Sequence, residues 1–198
     1  MAGREKVLHS VLIGTTILCS WLGMMIVHEA GHATAAVLTG GKVQRIVLPI
    51  VGFSRTDVLP NPRPLAVVWA GPVLGELLPL ALWLLARAAR LTWAYLLRFF
   101  AGFCFVANGA YIGAASFDEV GDAYPMLLFG SRPWQLWLFG VMSLALGFWL
   151  WHNLGACFGI GSRAREVNPK HVVATSITLF VIVVAELILQ LTNPNSRI

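Results

Sequence analysis

The chain has 198 residues, of which 58% are hydrophobic and 12% are charged, and its mean hydropathy is +0.75. A soluble domain averages about 25% charged residues, so this composition excludes a soluble protein and predicts an integral, multi-pass protein of the cell membrane. The net charge is +5, and its basic residues lie in short segments between apolar runs, as is typical of anchors at lipid headgroups. We therefore expect contact with the lipid bilayer and no nucleic-acid partner.

The first apolar run, residues 7–27, predicts a membrane-spanning helix. It is long enough to cross a hydrocarbon core of about 30 Å. The helix should continue to Leu38, because the alanines after the run favour helix. Thr39-Gly40-Gly41 should end it, since glycine is the usual residue just past a helix C-terminus.

Near the end of this helix the chain carries the pattern H-E-x-x-H, formed by His28, Glu29 and His32. Residues four apart on a helix project from one face, so the two imidazoles can share a metal ion. Glu29 lies one step round the helix, close enough to accept a proton from a metal-bound water. The alternative, a helix end with two unremarkable histidines, is disfavoured because ionisable groups beside a membrane span are costly.

Residues 42–59 differ in kind from the apolar runs. They are rich in β-branched residues and are punctuated by Pro49 and Gly52. This pattern predicts two short strands that form a hairpin at the membrane interface, with Pro49 at an edge or in the turn. An irregular interfacial loop is the alternative.

Four further apolar runs predict spans two to five. They cover residues 65–88, about 93–115, 133–151 with a possible extension to 160, and 171–191. The predicted fold class is therefore an all-α membrane bundle of about five transmembrane helices, with a short interfacial β-hairpin after the first. The length suits a single multi-pass domain over residues 1–198.

Two of these spans contain a carboxylate. An ionisable residue inside a membrane span is a functional candidate by default, and Glu76 in the second span and Glu186 in the fifth meet that description. For Glu76 a buried, hydrogen-bonded structural role is an equal alternative. Ala70-Gly71-Pro72, one turn before Glu76, should let the second helix pack closely against the first.

An acidic cluster after the third span supplies candidates for a third metal ligand. The first and third spans run in the same direction, so their C-terminal ends lie at one membrane face. Asp118 and Asp122 are both candidates, and we favour Asp122 because its neighbours Gly121 and Ala123 are small. If one straight helix joined Asn108 to Asp122, the two residues would lie about 21 Å apart. Asn108 would then be too far from the acidic cluster to act with it, and we expect it to make an interhelical hydrogen bond instead.

A catalytic zinc site can be formed by two imidazoles and one carboxylate, with the fourth coordination position left open for water. Such a site generates hydroxide near neutral pH, and Glu29 would accept the proton. This chemistry predicts a Zn2+ hydrolase. Two other classes remain: a catalytically inactive, metal-stabilised membrane scaffold, which would not need Glu29, and a metal transporter, which would place His and acidic residues along several spans.

The chain resembles the site-2 protease family of intramembrane zinc metalloproteases. The resemblance covers about residues 7–130 and rests on four features: His28-Glu29-Ala30-Gly31-His32, the interfacial β segment, Ala70-Gly71-Pro72, and the late Gly121-Asp122-Ala123. The chain departs from the family at the late motif, which usually reads Asp-Gly and here reads Asp122-Ala123.

The resemblance implies a function and a set of site residues. A metalloprotease core would occupy about residues 7–130, and residues 133–191 would form accessory spans. The implied zinc ligands are His28, His32 and Asp122, and the implied catalytic residue is Glu29. The substrate would be a membrane protein or peptide cut near the cytosolic face, with the N-terminus outside; the oligomeric state stays undefined.

Overall fold

The structure, a computed structural model, describes residues 2–192. Helices dominate it, and one two-stranded antiparallel sheet follows the first helix. The elements in chain order are α1 (Ala2–Leu38), β1 (Val43–Val47), β2 (Arg55–Val58), α2 (Pro64–Ala88), α3 (Ala94–Asp118), α4 (Ala123–Leu128), α5 (Pro133–Trp151), a 3-10 turn (Gly155–Phe158) and α6 (Pro169–Thr192).

Within residues 2–192, five helices are long and apolar enough to cross a membrane: α1, α2, α3, α5 and α6. Much of their outer surface is apolar; on α6, for example, Ile177 and Phe180 are 58% and 68% exposed. Such a continuous apolar exterior is stable only in lipid. The chain is therefore an integral multi-pass membrane protein, and the predicted fold class is confirmed.

The ends of α1 and α2 follow from local sequence. After Leu38 the chain adopts a left-handed conformation at Gly40, with φ of 80°, and the Gly41 N–H donates to the carbonyl of Ala36 at 2.8 Å. This is how glycine ends a helix. Proline at the start of α2, Pro64, has no N–H to leave unpaired and its φ already suits a helix.

The predicted hairpin is present, so the alternative of an irregular loop is wrong. β1 pairs antiparallel with β2 in a register that sets Ile46 opposite Thr56 and Val47 opposite Arg55. Pro49 lies in the connection between the strands, where its missing N–H costs no ladder hydrogen bond. Exposure alternates along β2, so Thr56 and Val58 face the protein while Arg55 and Asp57 face outward.

Small residues bring the long helices into close contact. Gly31 of α1 packs on the backbone of α2 at Ala70 and Gly71, where a Cβ would collide with the Ala70 carbonyl. Gly109 of α3 and Gly140 of α5 meet in the same way. Because lipid tails provide no hydrophobic drive between helices, such close backbone packing holds a bundle together. The predicted packing of Ala70-Gly71-Pro72 against the first helix is confirmed.

Candidate metal centre

Three side chains from two distant parts of the chain meet at one point. His28 Nε2 lies 2.9 Å from Asp122 Oδ2, and His32 Nε2 lies 3.3 Å from the same oxygen. The two Nε2 atoms are 3.1 Å apart. Both imidazoles lie on α1 and are 6% exposed, whereas Asp122 lies in the short turn between α3 and α4.

The other ring nitrogen of each histidine is already occupied. His32 Nδ1 lies 2.8 Å from the backbone carbonyl of Val67, which can only accept, so this nitrogen carries the proton. His28 Nδ1 lies 2.7 Å from Asn108 Oδ1, and the Asn108 amide group donates to the carbonyl of Cys104 at 3.0 Å. Asn108 Oδ1 is therefore the acceptor, and His28 Nδ1 is protonated as well.

These tautomers fit a bound cation. With both Nδ1 atoms protonated, the two neutral rings present lone pairs at Nε2, and Asp122 adds a carboxylate oxygen. Three acceptors packed this closely repel one another unless a positive charge lies between them. Tetrahedral zinc with bonds of about 2.0–2.2 Å separates its ligand atoms by about 3.3–3.6 Å, and the observed separations of 2.9, 3.1 and 3.3 Å lie at or slightly below the lower end of that range.

Asp122 reaches the histidines because the chain reverses direction after α3. The helix ends at Asp118, Glu119 is left-handed with φ of 51°, and Gly121 has φ of 54°. The Asp122 N–H then donates to Tyr111 Oη at 3.0 Å. The expected separation of about 21 Å between Asn108 and Asp122 is therefore wrong, because their connection is not one straight helix and both contact the His28 ring.

Asn108 does make the expected interhelical bond, from α3 to α1. Asp118, the other candidate for the third ligand, is the last residue of α3 and lines the same cavity. Among the described residues, however, the Nε2 atoms contact Asp122 and not Asp118. Asp122 therefore supplies the carboxylate oxygen that lies nearest to the two ring nitrogens.

Glu29 lies beside this cluster and is 2% exposed. Its carboxylate and the ring nitrogens of His28 and His32 lie within 4.8 Å of one another. The Thr56 hydroxyl of β2 donates to Glu29 Oε2 at 2.6 Å. Two carboxylates therefore approach the histidine pair, Asp122 at hydrogen-bond distance and Glu29 at a somewhat greater one.

A cavity of about 910 Å³ opens over these groups. Apolar side chains of α1, the hairpin, α2 and the α4 region form most of its wall, including Met24, Phe53, Val67 and Phe129. Five of its polar lining residues contact one another: His28, His32, Asp122, Glu29 and Thr56. A large apolar cavity with a few convergent polar groups is the usual form of a binding or active site.

The intramembrane carboxylates lie elsewhere. Glu76 is buried and accepts a hydrogen bond from Ser143 at 3.0 Å, which fits the structural alternative. Glu186 is 1% exposed, and its carboxylate oxygens have no hydrogen-bond partner among residues 2–192. The cavity wall contains neither residue in the part of the chain that is described.

Two contacts at the centre were not foreseen, Tyr111 on the Asp122 backbone and Thr56 on Glu29, and the interhelical bond expected of Asn108 was not assigned to His28. Asn108 and Tyr111 are three residues apart on α3, so their shared face was a usable signal. Thr56 could have been assigned to the inner face of β2 from strand alternation, but its distance to Glu29 could not.

Comparison with known proteins identifies one family. The sequence model of the Peptidase M50B-like family matches residues 7–149, more than half of the chain. The matched segment contains the H-E-x-x-H pattern, the hairpin and Asp122. No curated protein and no solved structure matches the chain.

Proposed function

The chain belongs to the Peptidase M50B-like family, a site-2 protease family of membrane peptidases, and we propose that it is a zinc metalloendopeptidase that hydrolyses peptide bonds of membrane-embedded substrates. One observation carries the proposal: two unprotonated imidazole nitrogens and an anionic oxygen converge beside a buried glutamate. Peptidases of this family are zinc enzymes, and this set of ligand atoms suits zinc.

His28, His32 and Asp122 are the proposed ligands, through Nε2, Nε2 and Oδ2. Asn108 and the Val67 carbonyl keep both rings in the tautomer that turns Nε2 inward, as partners of metal-binding histidines generally do. Zinc, when bound, supplies a positive charge that lowers the pKa of a bound water and polarises the substrate carbonyl.

Glu29 is the proposed general base. It takes a proton from the attacking water and returns it to the leaving amine nitrogen. Its burial, with 2% exposure, keeps bulk water from competing for that proton. The cavity wall, which is mostly apolar, would limit the access of bulk water beyond the one reacting molecule.

The hairpin is the proposed receiver of the substrate. A peptide in a helical span hides its backbone, so cleavage requires an extended segment, which an exposed strand edge can bind by strand addition. β2 supplies Thr56 and Val58 to the cavity wall, and Thr56 contacts Glu29. Proline substitutions along β2 should reduce cleavage without releasing zinc. The control is Val51→Pro, in the connection between the strands, which should leave cleavage unchanged.

The competing function is a catalytically inactive, metal-stabilised membrane scaffold. Such a protein would use the ligands but would have no need for a buried carboxylate beside them. Glu29→Gln separates the two functions. The proposal requires that this variant retain zinc and lose cleavage of a reconstituted membrane substrate, while Glu76→Gln, a matched change outside the cavity, remains active.

Unimpaired cleavage by Glu29→Gln would refute the assignment of the general base. Absence of cleavage by the wild type across a panel of membrane-embedded peptides, with zinc present, would favour the scaffold.

A further inference from the structure

Glu29 is close enough to the histidine pair to become a metal ligand itself. A carboxylate oxygen of Glu29 lies within 4.8 Å of one ring nitrogen of each histidine, and a glutamate side chain can move by that distance through rotamer changes. His28, Glu29 and His32 alone would then form a three-ligand group. As a ligand, Glu29 would occupy the position that a catalytic site keeps for water, and it could no longer accept a proton.

One contact opposes this movement. Thr56, on the inner face of β2, donates its hydroxyl to Glu29 Oε2 at 2.6 Å, and the same hydroxyl oxygen lies 3.5 Å from the Glu29 backbone carbonyl. A hydrogen bond to a charged acceptor is short and about twice as strong as a neutral one. The hydroxyl comes from β2, whose register against β1 is fixed by backbone pairing. The position of the hydroxyl is therefore fixed as well.

We propose that Thr56 is a positioning residue that holds the Glu29 carboxylate out of the metal coordination shell. The inference rests on the proposed function, because it assumes that a metal binds His28, His32 and Asp122. It assigns to the hairpin a second task besides binding substrate: β2 keeps the base in place. Loss of the hydroxyl frees Glu29 to bind the metal.

Removing the hydrogen bond from Thr56 to Glu29 should therefore strengthen metal binding. In Thr56→Val and Thr56→Ala, Glu29 becomes an additional ligand that must dissociate before the ion leaves, so zinc release to a chelator slows about tenfold, which corresponds to about 1.4 kcal/mol in the barrier to release. The kcat for peptide cleavage falls at least about tenfold, with KM within about twofold of wild type. Thr56→Ser keeps a hydroxyl and should restore both values.

A double variant identifies the cause. Since the slower release requires the Glu29 carboxylate, Thr56→Val should have no effect on release in a Glu29→Gln background. Val58→Ala is the matched control, because it alters the next inward-facing residue of β2 without removing a hydroxyl, and it should leave the release rate unchanged.

Zinc release that is unchanged or faster in both Thr56→Val and Thr56→Ala overturns the inference, as does slower release that persists with Glu29→Gln. Zinc release is measured without substrate, so the result stands even if the protein cleaves nothing. Cleavage by the wild type tests the proposed function separately. A wild-type protein that binds no zinc would overturn both.

Discussion

His28 Nε2 and Asp122 Oδ2 lie 2.9 Å apart although 94 positions separate them in the chain. The contact joins the end of α1 to the turn after α3, and it exists because both segments lie at the same end of the bundle. Without Asp122, the two histidines would supply only two of the three protein ligands that a catalytic zinc site uses.

Asn108 should be needed for metal affinity. Asn108→Ala removes the acceptor of His28 Nδ1–H, so the ring can rotate or change tautomer. Loss of such a partner typically costs 10- to 100-fold in metal affinity, and we expect a zinc Kd at least about tenfold higher by competition with a chelator. Ser143→Ala, which changes a buried group that bonds Glu76, is the control. Equal Kd values for the two variants would exclude a role for Asn108 in orienting His28.

Tyr111 should act on the third ligand through the backbone. Tyr111→Phe removes the acceptor of the Asp122 N–H, and an unsatisfied buried group costs about 1–3 kcal/mol. If that cost falls on the metal-bound turn, zinc binding weakens roughly fivefold or more. The zinc Kd measures this directly. The idea fails if Tyr111→Phe binds zinc as tightly as wild type and melts at the same temperature.

Gly31 should be required for stability. A Cβ on Gly31 would collide with the Ala70 carbonyl, whereas one on Gly14, in the same helix, would meet nothing within 4 Å. Overpacking costs about 1–3 kcal/mol, which corresponds to a Tm lower by roughly 2–12 °C for a chain of this size. Thermal unfolding in detergent should show this loss for Gly31→Ala only. Equal Tm values would mean that α1 and α2 can separate at no cost.

The helical part of the fold could be predicted because its signals are local. Apolar runs long enough to cross a bilayer give the spans, and glycine or proline gives several of their ends, as at Gly40 and Pro64. The hairpin was predictable from β-branched residues interrupted by Pro49. The first and third spans cross in the same direction, and this was enough to predict that the ends of α1 and α3 lie at the same membrane face.

The details of the centre could not be predicted, because they depend on tertiary structure. Asp118 and Asp122 are only four residues apart, and the left-handed residue Glu119 decides which of them faces the histidines. Glutamate has no particular preference for that conformation. The bond between Thr56 and Glu29 depends on how the hairpin packs on α1, and no local pattern encodes that packing.

Whether His28, His32 and Asp122 hold one ion is tested by the zinc content of the purified wild-type protein and of His28→Ala, Asp118→Ala and Asp122→Ala. Three ligands around one ion predict about one zinc per chain in wild type and Asp118→Ala. Little or none should remain in His28→Ala and Asp122→Ala. Zinc retained by Asp122→Ala but lost from Asp118→Ala, or no zinc in the wild type, would exclude this set of ligands.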